Sequence, residues 1–146
     1  MIIKSFETNK IDLNKNRFIL FYGRNEGLKN QIKLKLLKDK NITLNLDEQE
    51  IINNADNFIE SLLTQSLFER EKIIFINRAT DKILKIISEI IQKNIENIII
   101  IINAGSLEKK SKLRSFFEKD KKCICIAFYP DNEQTLAGLA NTFFKN

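Results

Sequence analysis

The sequence predicts an α/β fold on an open, five-stranded parallel sheet, and three observations carry that expectation. Several short runs are apolar without alternation, the pattern of strands buried on both faces of a parallel sheet. Helical periodicity fills the gaps between these runs. The chain therefore reads strand, helix, strand, helix through to a fifth strand, the order of right-handed βαβ units. The third observation is "FILFYGRNEGLKNQIKLKLL", Phe18 to Leu37, an apolar strand leading through a glycine turn into a lysine-bearing helix.

The elements follow in order. The first strand is "RFILFY" (17–22), and Leu28, Ile32, Leu36 and Leu37 form one stripe of the helix after it. A weaker second strand is "NITLNL" (41–46), followed by a helix with Phe58, Ile59, Leu62 and Leu63 on one face. "KIIFIN" (72–77) is the third strand. The helix after it carries Ile83, Leu84, Ile87, Ile90 and Ile91, with Thr80 or Asp81 as its N-cap. "NIIIIIN" (97–103) is the fourth strand, and its helix carries Leu113, Phe116 and Phe117 with Ser106 as cap. "CICIAF" (123–128) is the fifth. Residues 1–130 form one domain in this reading. After Pro130 the amphipathic stretch "DNEQTLAGLANTFFKN" begins a following helical domain over 131–146, with Leu136, Leu139, Ala140 and Phe143 on one face.

Ligands of open parallel sheets bind at the carboxyl ends of the strands. Gly23, Asn77 and Asn103 fall there. A phosphate-binding P-loop reads G-x-x-x-x-G-K-[ST], so that backbone N–H groups cradle phosphates and the hydroxyl holds magnesium. Here Gly23 and Gly27 stand one residue too close, Leu28 precedes Lys29, and Asn30 replaces the hydroxyl residue. An acid pair after the third strand would complete a metal-dependent hydrolase, but Asn77 and Arg78 occupy those positions. Asn103 does fit the polar residue expected at the tip of the fourth strand. The turn is kept and the chemistry is lost: the site reads as degenerate, with no catalytic residue, no metal ligands and no cofactor.

Composition narrows the classes further. The chain has no His, which removes the commonest general base and most zinc sites. Cys123 and Cys125 share one face of a strand and read as core. With two cysteines and no apolar leader in Met1 to Asn16, a cytoplasmic protein is expected, and no run is long enough to span a membrane. The net charge of +5 permits a nucleic-acid partner. The lysines, however, are spread over most helices with no tight basic cluster, so they read as solvated faces.

Three segments together resemble a known family. They are the strand, "YG" turn and acidic-containing loop of "FILFYGRNEGLKNQIKLKLL"; "TQSLFEREKIIFINRA", a helix running through Ser-Leu-Phe into the third strand; and "IIIIINAGSLEKKSKLRSFFEKDKKCICIAFYPDNEQTL". In this order they resemble the N-terminal domain of the delta subunit of the bacterial DNA polymerase III clamp loader, over nearly the whole chain. The resemblance implies a three-layer, P-loop NTPase-like domain of the AAA+ type that does not itself hydrolyse ATP. It implies binding and opening of the ring-shaped beta sliding clamp beside the tau/gamma motor and delta-prime subunits. DNA would be engaged indirectly through that loader, at the nucleoid in the cytoplasm.

In the family a Leu-Phe pair before the third strand plugs a pocket on the clamp, and the matching pair is Leu67-Phe68, preceded by Ser66. Leu67 extends the spacing Ile59, Leu63, Leu67, whereas Phe68 points about 100° away. Polar residues Gln65, Ser66, Glu69, Arg70 and Glu71 flank the pair, as a polar rim flanks a hot spot. Composition alone reads both as core, and the resemblance assigns them to the clamp. The rival readings are an ATP-binding P-loop ATPase and a basic DNA-binding or scaffolding module.

Overall fold

A computed structural model describes residues 1–38, 40–42, 44–66 and 71–129, with the backbone alone for 65 and 66. The strands are β1 (Phe18–Gly23), β2 (Leu44–Asp47), β3 (Lys72–Ala79), β4 (Ile98–Ala104) and β5 (Cys123–Phe128). The helices are α1 (Glu26–Leu37), α2 (Glu48–Asn53), α3 (Ala55–Ser66), α4 (Leu84–Gln92) and α5 (Lys112–Lys119). Two 3₁₀ segments, Ser5–Lys10 and Asp81–Ile83, complete the described elements. The expected five-stranded sheet is present, every pairing is parallel, and the order is β2-β3-β4-β1-β5.

The order explains the layers. From β1 to β2 the chain crosses the sheet in one direction, and from β2 through β3 and β4 to β5 it returns in the other. Right-handed crossovers then put α1 on one face and the later helices on the opposite face. The core divides accordingly. Ile19, Phe21, Ile73, Phe75, Ile99, Ile101, Ile124 and Ile126 pack with Ile32 and Leu37 of α1. Leu20, Tyr22, Ile74, Ile76, Ile100, Ile102, Cys123 and Cys125 pack with Ile59, Leu62, Ile87, Leu113 and Phe117. Alternate residues of β1, β3, β4 and β5 serve opposite layers, which is why these strands are apolar without a period of two, whereas β2 at the edge packs only Leu44 and Leu46.

The helices depart from expectation in their ends. The N-cap of α5 is Ser111, whose Oγ accepts from Arg114 N at 3.2 Å, and not Ser106. Ser106 instead accepts from Arg24 Nε at 3.0 Å. Thr80 caps the 3₁₀ turn that leads into α4. Asp81 caps a different helix: its carboxylate accepts from Ser111 Oγ at 2.5 Å and from the Lys112 and Leu113 amides at 3.2 Å each, closing the start of α5. The short helix α2 is not apparent from periodicity, because only Ile51 of its side chains is both apolar and fully buried. Leu63 of α3, expected on the buried stripe, is 37% exposed.

The outer edge of β5 is covered by the chain's first residues. Cys125 N donates to Met1 O at 2.9 Å and Ile3 N to Cys125 O at 3.0 Å. The Met1 ammonium donates to the carbonyls of Phe117, Asp120 and Cys123. Two of these lie at the end of α5, where helix carbonyls lack partners.

The Asp81 cap can be tested directly. Hydrogen bonds from Ser111, and then from the Leu113 and Lys112 amides, hold its carboxyl below the ordinary 3.8, against a desolvation effect that acts the other way. A carboxylate depressed in the folded state contributes fully above its unfolded value and loses that contribution as pH falls through the lower folded value. Asp81→Asn should cost about 1 kcal/mol at neutral pH in urea denaturation, the size of a helix cap. The gap between variant and wild type should narrow as the pH falls below 3.8.

Candidate functional site

At the carboxyl end of the sheet β1 sends its helix to one face while the neighbouring β4 sends α5 to the other. Such a switch opens a crevice between the strand ends, the usual ligand position in parallel α/β sheets. Here a crevice of about 590 Å³ is lined by Glu26, Asp47, Asn77, Arg78, Ala79, Thr80, Asn103, Ala104 and Gly105.

Gly23 sets the turn beside it. Its φ is +112°, and a Cβ there would lie 2.1 Å from the Phe128 carbonyl oxygen, so only glycine fits. The turn is then stitched to both flanking strands: Gly23 N donates to Gly105 O at 2.8 Å and Asn25 N to Phe128 O at 3.3 Å. Asn25 caps α1 through Leu28 N at 3.1 Å, while Glu26 N donates to Arg24 O and Lys29 N to Asn25 O, each at 3.0 Å. The amides of residues 23, 25, 26, 28 and 29 are thus spent within the protein. Gly27 carries no comparable constraint. It has no positive φ, and the nearest atom to an added Cβ is Asn25 Oδ1 at 3.8 Å.

Lys29 differs from the solvated lysine expected from sequence. It is 3% exposed, and its Nζ donates to Ala104 O at 2.8 Å and to Glu26 Oε1 at 3.0 Å. Burial lowers its pKa, partly offset by Glu26. The side chain ties the first turn of α1 to the end of β4, and its charge is met inside the protein rather than offered to the crevice.

The third strand ends irregularly. Its pairing with β4 shifts between Ile76 and Ala79, and Arg78 takes a φ of +56°. Arg78 is turned outward against Asp47 at 3.6 Å, and Asn77 Nδ2 donates to Asn45 Oδ1 of β2. The carboxylates near this end come from β2 and α2 and were not foreseen. Asp47 meets Arg78, and buried Glu48 accepts from Thr80 N at 2.8 Å and from Thr80 Oγ1. The dipole at the start of α2 favours an acid such as Glu48, the one signal in "LDEQE" that could have marked it. Among the described residues no group of three or more His, Cys, Asp or Glu is placed to hold a metal ion.

Asn103 is where the sequence placed it. Its Nδ2 lies 3.5 Å from Glu26 Oε2, and its Oδ1 is buried without a partner among the described residues. Gly23, Lys29, Asn77 and Asn103 are therefore gathered around one strand-end region, and Gly27 faces away from any tight contact. Leu67 and Phe68 lie outside the described residues, as does the Ser66 side chain. Their described flanks are Ser66 as the last residue of α3 and Glu71, which pairs with Lys40 and with Arg17 at 3.3 Å. Burial pushes the Cys123 and Cys125 thiols up to about 12, so both stay protonated and unreactive in the core. No helix among the described residues is long and apolar enough to cross a membrane. Compared with known proteins, the chain matches no family model and no curated protein.

The two glycines should respond oppositely to alanine. Gly23→Ala places a methyl on the Phe128 carbonyl at a positive φ and should cost about 3 kcal/mol or more in urea denaturation. Gly27→Ala adds a helix former in the first turn of α1 and should be stabilising by about 0.5–1 kcal/mol.

Proposed function

We propose that this chain is the clamp-opening, delta-type domain of a bacterial replication clamp loader: an AAA+-like domain with a degenerate nucleotide site that hydrolyses no ATP. The observation that carries the reading is the fate of Lys29. In a nucleotide-binding domain of this layout the strand–glycine–helix unit would meet a phosphate; here its lysine is buried on Ala104 O and Glu26, and most of its turn amides are internally bonded. A domain that keeps this scaffold while spending its phosphate-binding groups on structure suits a partner-binding role. The sheet of five parallel strands with helices on both faces is compatible with the P-loop-like class that the resemblance implies.

In this reading residues 1–130 form the clamp-binding domain and 131–146 begin a helical lid. Leu67 and Phe68, with Ser66, make the contact. The flanks suit a projecting plug: Ile59 and Leu62 anchor α3 in the core, and Glu71 fixes the entry to β3 through Lys40 and Arg17. Two apolar side chains inserted in a pocket contribute roughly 3–6 kcal/mol before the costs of association. Opening the ring then needs no chemistry here. A wedge that binds the open clamp more tightly than the closed one shifts the population by its differential affinity. Motor and delta-prime subunits would supply the ATP-driven exposure of that wedge.

The test is binding of the chain to the sliding clamp of the same cell, by surface plasmon resonance, beside a Leu67→Ser/Phe68→Ser variant shown to be folded by circular dichroism. The variant should bind at least about 100-fold more weakly. Absence of clamp binding by the wild type, or equal binding by both, would overturn the assignment of these residues. Calorimetric titration with ATP and magnesium should show no uptake, and saturable binding there would favour the ATPase alternative.

A further inference from the structure

We infer that the amino end of the sheet holds a ligand site of its own, a pocket that takes a medium-chain fatty acid. It lies at the opposite end of the strands from the crevice near Gly23, where β1, β4 and β5 begin. A cavity of about 500 Å³ opens there between the strand starts and the last turn of α4. That volume falls within the roughly 300–1,000 Å³ of small-molecule sites. Ile90 and Cys123 form a buried floor, while Phe18, Ile91 and Ile95 pack against the core with part of each side chain left open.

The wall made by the α4–β4 loop is shaped before any ligand arrives. Asn94 and Asn97 take φ values of +50° and +62°, a left-handed conformation that asparagine tolerates better than most residues. They bracket Ile95, and the loop is bonded at both ends. Asn94 N donates to Ile91 O at 3.1 Å, and Asn97 O accepts from Lys72 N at 2.8 Å. A hydrocarbon chain entering here gains burial without the cost of ordering a loop.

The rim selects the head group. Lys15, Arg17 and Lys122 stand at the mouth against Glu96 and Asp120. Lys15 and Lys122 are exposed, and among the described residues neither lies within ion-pair distance of a carboxylate. Arg17 uses only Nη1, toward Glu71 at 3.3 Å and Ile98 O at 3.4 Å, so its other N–H donors have no partner among the described residues. Of the two acids, Asp120 is engaged, accepting from Lys122 N at 2.8 Å, and Glu96 is exposed. The partial negative charge at the end of α5 is met by the Met1 ammonium on Phe117 O and Asp120 O, and Lys93 follows the end of α4. Three cations above an apolar floor suit one carboxylate on a hydrocarbon tail, and they disfavour the matching amine.

Isothermal titration calorimetry of the whole chain with sodium octanoate, beside hexanoate and octylamine, tests this. Octanoate should bind saturably and about tenfold or more tighter than hexanoate, at about fourfold for each methylene buried. Octylamine should bind at least about tenfold more weakly than octanoate. Lys15→Gln/Lys122→Gln should weaken octanoate binding at least about tenfold. Lys35→Gln/Lys85→Gln removes the same charge elsewhere and should stay within about threefold of wild type. Ile95→Asp puts a carboxylate into the wall and should abolish binding; should it fail to fold, the rim double variant carries the comparison. Absence of saturable octanoate binding, no gain from hexanoate to octanoate, equal or tighter binding of octylamine, or equal losses in the two double variants would each overturn the proposal.

Discussion

The passage of the chain past the Phe128 carbonyl governs the working end of this molecule. Because β1 lies between β4 and β5, its exit must clear the backbone of β5 while the turn bonds across to Gly105 beyond β4. A side chain at position 23 would collide with Phe128 O, so the residue type and the sheet order are two statements of one constraint. Once that turn is set, α1 starts at Asn25, Lys29 falls against the end of β4, and the crevice takes its width.

Lys29 shows how a lysine at the start of a helix after a glycine turn can be put to structural use. A buried ammonium needs partners, and it finds a carbonyl and a carboxylate, both belonging to the protein. Such an arrangement holds the first turn of α1 onto the sheet. It also neutralises, within the protein, the charge that an incoming anion would require.

The sheet was the most legible part of the sequence, because strands buried on both faces leave unbroken apolar runs such as "IIIII" at 98–102. Strand order was not legible, since it depends on crossover directions that no local pattern records. The sharp turn was legible at Gly23, whereas Gly27, grouped with it only by the spacing of a broken motif, carries no backbone constraint. Lys29 was misjudged for a related reason: lysine at a helix start is usually solvated, and only the nearness of Ala104 O reverses this. Asp81 was read as a local cap because a cap is sought beside its own helix. Its partners lie about thirty residues on, a tertiary contact with no sequence signature. The Leu67-Phe68 pair rests on resemblance, since an exposed apolar pair and a buried one have the same composition.

The Asp81 contact has a consequence for how the α4 and α5 layer moves. The residue belongs to the turn that launches α4, yet it holds the hydroxyl and two amides that begin α5. Fraying of the turn that launches α4 would withdraw this carboxylate from the start of α5, so the two helix starts are coupled. Solvent exchange of the Lys112 and Leu113 amides would then depend on the integrity of a turn some thirty residues earlier in the chain, and part of a load placed on one helix start would reach the other.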